Sequence, residues 1–352
     1  MSPSSLLRPD PLPWLLETST PGVRYLALRD LVGCAPDDPE LIAARAAAYS
    51  AGPIATILAN MEPEGYWVDP GAGYYPKYRG TVWSILALAQ LGAHIAHDPR
   101  IGRACQYLLE HALTATGQFT ANGAPSGTAD CLQGELCWAL VMLGCQDPRL
   151  ESAFEWMARS VTGDGVAPLG ARDAVVRYYA GKCGPTFACG SNNKLPCAWG
   201  GVKVILALST VAPRRRTRVL RAAIEQGVEF LLGVDPAVAD YPAGYSARPS
   251  GNWWKFGFPV FYVTDLLQNL EALIALGYGT DPRLSRALQL VHRKQDDSGR
   301  WILEYDYAGK TWFDVGPKKK PNKWVTLRAL RVLRVQSAAE PASRRRAVGG
   351  AA

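Results

Sequence analysis

The sequence predicts an all-α domain in which inner and outer helices alternate around a closed ring, an α/α toroid. Two observations predict it. A short turn between two helical segments recurs along the chain, and the first segment of each pair is apolar nearly all round whereas the second is amphipathic. With 48% hydrophobic residues among 352, the chain is able to bury a core of this size.

The recurrent turn joins Leu-Gly, at the end of one helix, to Asp-Pro at the start of the next. It reads LGAHIAHDPR, LGCQDPRLES and LGYGTDPRLS, with weaker copies in VGCAPDDPE and STVAPRRR. Glycine closes a helix in the left-handed conformation, aspartate caps the next helix, and proline needs no N–H at the first helical position. Each unit is therefore predicted to be a tight antiparallel helix pair.

The apolar segments are predicted to be the inner helices, because they would be buried on most sides. They run near 22–33, 81–93, 129–144, 197–211, 260–277 and 322–335, and the first five each precede an amphipathic segment. Six pairs would close into an (α/α)6 barrel, and an open superhelical solenoid is the alternative. We assign residues 1–337 to this single domain and 338–352 to a disordered basic, Ala- and Gly-rich tail.

Turns that combine glycine with an aromatic residue follow several outer helices. They read MEPEGYW, TATGQF and KQDDSGRW, and the last contains Gln295, Gly299 and Trp301. This copy resembles the QW repeat of squalene–hopene cyclase-like enzymes, in which the glutamine caps a helix and the tryptophan packs against it. The repeat organisation, with TPGVRYLALRDL, KYRGTVWSILALAQLG and PNKWVTLRALRVL, resembles a prokaryotic branch of the terpenoid cyclase/protein prenyltransferase superfamily. The resemblance implies the toroid fold and no particular reaction.

Polar, charged and thiol side chains gather where the predicted inner helices begin, whereas the helix bodies are apolar. In a toroid these N-termini would ring one mouth of a central cavity and offer free N–H groups and partial positive charge. We therefore predict a ligand site at this mouth. The candidate substrate-binding residues are Lys77, Arg79, Lys323, Trp83, Trp199, Tyr262 and Trp324.

Asp130 and Asp265 lie near inner-helix starts and are the candidate catalytic acids or bases. In the class II terpenoid cyclases that the chain resembles, an aspartate of a DxDD motif protonates an alkene, and this sequence has no DxDD. Alignment on the segment 138–140 puts Cys131 at the protonating position, and a thiol is too weak an acid for that step. The structural alternatives are a helix cap for Asp130 and a satisfied buried polar group for Asp265.

Four cysteines near the same mouth, Cys131, Cys183, Cys189 and Cys197, are candidate zinc ligands. Four thiolates suit tetrahedral Zn²⁺, and positive helix ends favour the thiolate form. The C-x5-C-x7-C spacing matches no standard zinc ribbon, so reduced, partly buried cysteines are the alternative. The prenyltransferase β-subunits that the chain resembles hold zinc with Asp, Cys and His. Here Asp130 and Cys131 are adjacent, and no histidine lies at an inner-helix start.

These features lead to two hypotheses. The first is a cyclase- or prenyltransferase-like enzyme that acts on an isoprenoid or related lipid in a central cavity, with zinc as a candidate cofactor. The second is a non-catalytic lipid-binding or scaffold protein with a structural zinc–cysteine site. The net charge of +7 includes three basic runs that suit peripheral membrane contact, and no motif indicates nucleic acid. No signal peptide or membrane-spanning segment is evident, so we expect a cytoplasmic protein.

Overall fold

Helices dominate the structure, a computed structural model that describes residues 9–167, 171, 173, 181–246 and 250–339. In all, 52% of the chain is helical, as the all-α class predicts. In chain order the helices are α1 (Leu12–Leu15), α2 (Pro21–Ala27), α3 (Pro39–Ser50), α4 (Pro53–Ala59), α5 (Thr81–Gln90), α6 (Pro99–His111), α7 (Asp130–Met142), α8 (Arg149–Thr162), α9 (Ala198–Ser209), α10 (Arg218–Leu232), α11 (Leu266–Ala275), α12 (Ser285–Arg293) and α13 (Lys323–Ala339). A π-helical turn, Leu28–Val32, extends α2.

The helices fall into the two predicted classes. The apolar helices α5, α7, α9 and α11 are buried along most of their length. Each of them contacts the next, α11 contacts α13, and α13 contacts α2. The amphipathic helices pack outside them, with α3 on α2, α6 on α5, α8 on α7 and α10 on α9. A short antiparallel hairpin of β1 (Ala188–Cys189) and β2 (Leu195–Pro196) precedes α9.

The recurrent turn has the predicted chemistry. The closing glycines are left-handed, with φ of 79°, 85° and 96° at Gly92, Gly144 and Gly277. At each following helix an aspartate side chain accepts a hydrogen bond from the backbone N–H two residues later, at 2.9 Å. The same aspartates form ion pairs with the arginine at that position, so the working motif is Asp-Pro-Arg. The three pairs are Asp98–Arg100, Asp147–Arg149 and Asp281–Arg283.

Two boundaries differ from the prediction. Helix α11 begins at Leu266 rather than near 260, because Asp265 caps it by accepting a hydrogen bond from the Gln268 N–H at 2.8 Å. Residues 260–265 are then free to line a cavity. Helix α13 runs to Ala339, two residues beyond the predicted end of the domain, and 340–352 of the predicted tail lies outside the described residues.

The three glycine–aromatic turns share one geometry and fasten outer segments to inner ones. In each, the backbone N–H of the aromatic residue donates to a side chain of an inner helix: Trp67 to Thr81, Phe119 to Gln133 and Trp301 to Thr326. Both tryptophan indoles also donate to a carbonyl of the preceding helix. The Gln295 amide donates within its own turn, to the carbonyl of Gly299 at 2.8 Å.

Replacing Gly117 in the second of these turns by alanine is expected to cost about 1–3 kcal/mol in the free energy of unfolding. Its φ is +86°, and an added Cβ would lie 2.3 Å from the carbonyl oxygen of Ser152 on α8. Gly123 is the matched control, since its φ is +77° but an added Cβ meets nothing within 4 Å. Urea unfolding of Gly117→Ala and Gly123→Ala measures both costs. Equal costs would contradict a steric role for the contact with α8.

Within the described residues, no individual helix has the length and apolar character to cross a bilayer. One bent pair, α3 with α4, meets the length and composition criteria only when the two are joined across a 42° bend.

Candidate functional site

A cavity of about 390 Å³, here called the charged cavity, is walled by the six inner segments. Each segment contributes at least one polar side chain, and within a helix the lining residues recur at helical spacing, as in Gln268 and Glu271 of α11. Apolar side chains such as Trp138, Leu206 and Phe258 fill the remaining wall. In chain order, the six segments contribute the polar side chains of Asp30, Gln90, Glu135, Lys203, Gln268 and Arg328.

The buried part of this cavity holds an ion pair between α7 and α9. The Lys203 Nζ lies 3.3 Å from Glu135 Oε1, and the two side chains are 0% and 5% exposed. Lys203 also donates to Thr264 Oγ1 at 2.6 Å and to Gln268 Oε1 at 3.2 Å. Within the described residues, neither carboxylate oxygen of Glu135 accepts a well-oriented hydrogen bond. Lys203 is therefore fully coordinated, whereas Glu135 faces the cavity with unused hydrogen-bonding capacity.

The protonation of Glu135 follows from this environment. Burial raises the pKa of Glu135 to about 7, although the neighbouring Lys203 ammonium acts in the opposite direction. The carboxyl is therefore partly protonated at neutral pH. A carboxyl in this state can give or take a proton, which is the property that acid–base catalysis requires.

Arg328 forms a second buried cluster on the cavity wall. Its Nη1 and Nη2 bond Asp265 Oδ2 and Oδ1 at 2.7 and 2.9 Å, and its Nε bonds Glu271 Oε1 at 3.1 Å. Asp265, one of the two predicted acids, thus has both oxygens held by a guanidinium while it caps α11. These contacts describe a structural role, and the catalytic role of Asp265 stays a prediction.

The partly exposed end of the charged cavity is positive. Arg29 bonds Asp30 with its Nε 2.6 Å from Oδ1, and Arg331 reaches the other oxygen of the same carboxylate. The side chains of Arg29 and Arg331 are 37% and 28% exposed, in contrast to the buried Glu135. Two guanidinium groups share one carboxylate, so this end carries a net positive charge that suits an anion.

A second cavity of about 720 Å³, here called the aromatic cavity, lies at the predicted mouth, where several inner helices begin. Lys77 is held between two of its aromatic rings, 5.2 Å from the centroid of Tyr74 and 5.3 Å from that of Tyr262. The two tyrosine hydroxyls are hydrogen-bonded at 2.7 Å. The structure brings together at this cavity the predicted residues Lys77, Cys131, Cys189, Cys197, Trp199 and Tyr262.

Arg79 and Lys323 contact other parts of the chain. Neither residue lines the charged cavity or the aromatic cavity. The Arg79 guanidinium lies 5.3 Å from the Trp312 ring. The Lys323 ammonium bonds Glu17 at 2.8 Å and lies 5.5 Å from the Trp14 ring. Both cations are therefore engaged by residues that are distant in sequence.

Four further predicted residues lie in the packed interior. Trp83 donates from its indole to the Tyr74 carbonyl at 2.7 Å, and Trp324 stacks on Phe258 with 4.6 Å between ring centroids. Cys183 is buried. Asp130 is 2% exposed between α7 and α9, and burial raises its pKa well above the usual range. The catalytic role of Asp130 stays a prediction.

The four cysteines do not form the predicted tetrahedral set. Cys189 and Cys197 line the aromatic cavity, whereas Cys183 is buried and is not part of its lining. Within the described residues, no group of three or more His, Cys, Asp or Glu side chains is arranged to hold a metal ion. This donor geometry of the described residues does not fit zinc. Zinc binding therefore stays a prediction from the sequence.

The sequence prediction did not include Glu135, Lys203, Glu271 or Arg328. Their signal was present, because Lys203 and Glu271 lie in otherwise apolar helices, and Glu135 and Arg328 are charged residues in the bodies of α7 and α13. A charge at such a position needs a counter-charge or a cavity. The prediction considered the residues at helix starts and not the charges in the helix bodies, so it did not include the charged cavity.

Comparisons with known proteins assign no function to this chain. No family model matches the sequence. No curated protein matches it either. Among solved structures it is similar to a protein from Actinoplanes, with a TM-score of 0.31 and 15% identity over 81% of this chain and 97% of that one. It is also similar to the apo type II terpene cyclase MstE from Scytonema, with a TM-score of 0.31 and 14% identity over 81% of this chain and 96% of that one. Neither likeness is strong enough to carry an argument about fold or function.

Proposed function

We propose that this protein is an enzyme with a closed α/α toroid that binds an amphiphilic, isoprenoid-like lipid in the charged cavity and uses Glu135 as a general acid. One observation carries the proposal. The Glu135 carboxyl is 5% exposed, lines the cavity and has unused hydrogen-bonding capacity. Buried carboxyls in this state are costly for stability, and they are characteristic of catalytic sites.

The closed ring is supported by the order of helix contacts. Successive inner helices touch from α5 to α13, and α13 touches α2. Between α2 and α5, a Cβ added at Gly92 would lie 2.5 Å from the Leu26 side chain. The starts of α7 and α9 border the aromatic cavity, whereas later residues of the same helices border the charged one. This order of helix contacts and cavity linings supports a ring of parallel inner helices over an open solenoid.

The substrate follows from the two ends of the charged cavity. The positive end at Arg29 and Arg331 suits a carboxylate or phosphate head group. The apolar wall, with Trp138 and Leu206, suits a hydrocarbon chain. A volume of about 390 Å³ lies within the usual range of small-molecule sites.

The strength of the acid limits the reaction. A carboxyl with a pKa of about 7 protonates an oxygen atom, whereas an isolated alkene needs a far stronger acid. We therefore propose an oxygen-bearing group, an epoxide, at the end of the chain next to Glu135. Glu135 protonates the epoxide oxygen, the C–O bond breaks, and a chain alkene attacks the released carbon to form a ring. The resulting cation loses one C–H proton to water, and the Glu135 carboxylate takes up a proton from water, so the overall reaction is an isomerisation.

The test is to incubate the protein with terminal epoxides of isoprenoid acids and phosphates and to analyse products by mass spectrometry. We expect a cyclic alcohol of unchanged mass. Glu135→Gln should lower kcat by about 10²–10⁴-fold while binding, measured by calorimetry, is retained. The same substitution at the exposed Glu225 on α10 is the matched control and should leave kcat unchanged.

Two outcomes would count against this proposal. Binding without conversion by the unmodified protein would favour the non-catalytic lipid-binding alternative. Conversion that survives in Glu135→Gln would remove Glu135 from the mechanism.

A further inference from the structure

The aromatic cavity contains a pair of thiols that the proposed function does not use. In the β1–β2 hairpin Cys189 pairs with Leu195, and Cys197 follows two residues later, so both side chains project from the same face. Both thiols line the cavity, and both are partly exposed. A reagent that enters the cavity therefore meets both sulfur atoms.

The surroundings favour the thiolate at Cys189. The neighbouring Cys197 thiol and the backbone of Ser191 and Asn192 lower the pKa of Cys189 to about 6, although burial acts in the opposite direction. Lys77 and Lys182 line the same cavity, and no carboxylate within the described residues lines it. Asp130 and Cys131 interact electrostatically with Cys189, and four tyrosines also line the cavity, Tyr74, Tyr75, Tyr241 and Tyr262.

We propose that Cys189 and Cys197 form a reversible redox dithiol, in which Cys189 attacks a small hydroperoxide that enters the aromatic cavity and Cys197 resolves the product to a disulfide. The Cys189 thiolate forms an S–O bond as the O–O bond breaks, and the departing alkoxide or hydroxide takes a proton. The Cys197 thiol then attacks the sulfenic sulfur, which forms the S–S bond and releases water. The two thiols together lose two electrons. An organic hydroperoxide is reduced to an alcohol and water, and hydrogen peroxide is reduced to two water molecules.

The experiment treats the reduced full-length protein with stoichiometric hydrogen peroxide, followed by alkylation of the remaining thiols, trypsin digestion and mass spectrometry. We expect a disulfide that links peptide 183–194 to peptide 195–203, with fragmentation assigning Cys189 rather than Cys183. A thiol reductant should reverse it. The rate of alkylation by iodoacetamide should rise with a midpoint near pH 6, rather than near 8.5 as for an ordinary thiol.

Variants separate the two roles. Cys189→Ser should abolish the disulfide and the low-pH alkylation, whereas Cys197→Ser should stop the reaction at a sulfenic acid that dimedone traps on Cys189. Cys145→Ser removes one thiol of a second pair of neighbouring cysteines, Cys105 and Cys145, and should leave the reaction unchanged. Circular dichroism checks that each variant is folded.

Oxidation that persists in a folded Cys189→Ser variant, or a disulfide that links other cysteines, would overturn the proposal. The result is independent of Glu135, because no lipid substrate is present in the experiment.

Discussion

Replacing Arg328 by methionine is expected to lower the free energy of unfolding by about 3–5 kcal/mol, the largest stability loss that we predict for one side chain. Arg328 and Asp265 are 5% and 3% exposed, and the guanidinium also bonds Glu271 and the Gly257 carbonyl. Without it, the buried Asp265 carboxylate and the Gly257 carbonyl oxygen lose their cation, and the 25% exposed Glu271 loses its hydrogen bonds to the guanidinium. Urea unfolding of the variant, compared with the unmodified chain, measures the loss.

Arg283→Met is the matched control, because Arg283 makes an Asp–Arg pair of the same 2.7 Å length, with a side chain that is 46% exposed. An exposed pair of this kind contributes about 0–1 kcal/mol. Adding Asp265→Asn to Arg328→Met should recover part of the loss, since asparagine removes the unpaired charge and still caps α11. A loss for Arg328→Met no larger than that of the control would show that water reaches these carboxylates.

Much of the fold was predictable because its signals are local. A Gly that closes a helix and an Asp-Pro that opens the next act within a few residues, and the positions of α5, α7 and α9 follow from them. The start of α11 was misplaced because 260–265 is as apolar as the helix itself. The Asp265 cap, a polar residue inside that run, was the signal that marked the boundary.

The site was predictable only in part, since side-chain partners come from distant segments. Lys77 and Tyr262 do meet, as a common mouth for the inner helices requires. Arg79 and Lys323 lie at similar positions in the sequence, but Trp312 and Glu17 engage them, and these partners are 233 and 306 residues away. No local pattern indicates such contacts.

Charge inside apolar helices was the neglected signal. The inner helices have few charged positions, and Glu135, Lys203 and Arg328 all line one cavity. Burying each of these charges costs several kcal/mol unless a partner offsets it. Lys203 and Arg328 have several partners each, whereas among the residues that the structure describes Glu135 has only the imperfect contact with Lys203. This asymmetry distinguishes the candidate catalytic group from the structural ions around it.

Protonation of Glu135 is expected to produce the second large effect. The free energy of unfolding should fall by about 3 kcal/mol as the pH rises from 4.5 to 7, and Glu135→Gln should not show this fall. The pKa is raised from 4.5 in the unfolded chain to about 7 in the folded protein, mainly by burial. In this window the folded state therefore binds more protons than the unfolded state. Its stability must decrease as the pH rises, the opposite sign to a carboxylate that a salt bridge stabilises.

The measurement is urea unfolding of the unmodified protein and of Glu135→Gln at several pH values, read as the difference between the two curves. Other buried acids, such as Asp130 and Glu271, cancel in this difference, and Glu225→Gln should reproduce the unmodified curve. The kcat for an epoxide substrate should depend on the same protonation. It should fall about tenfold per pH unit above 7, because the acid form of Glu135 is lost. A flat difference curve would mean that Lys203 keeps Glu135 ionised throughout, and a permanently ionised carboxylate cannot be the proton donor.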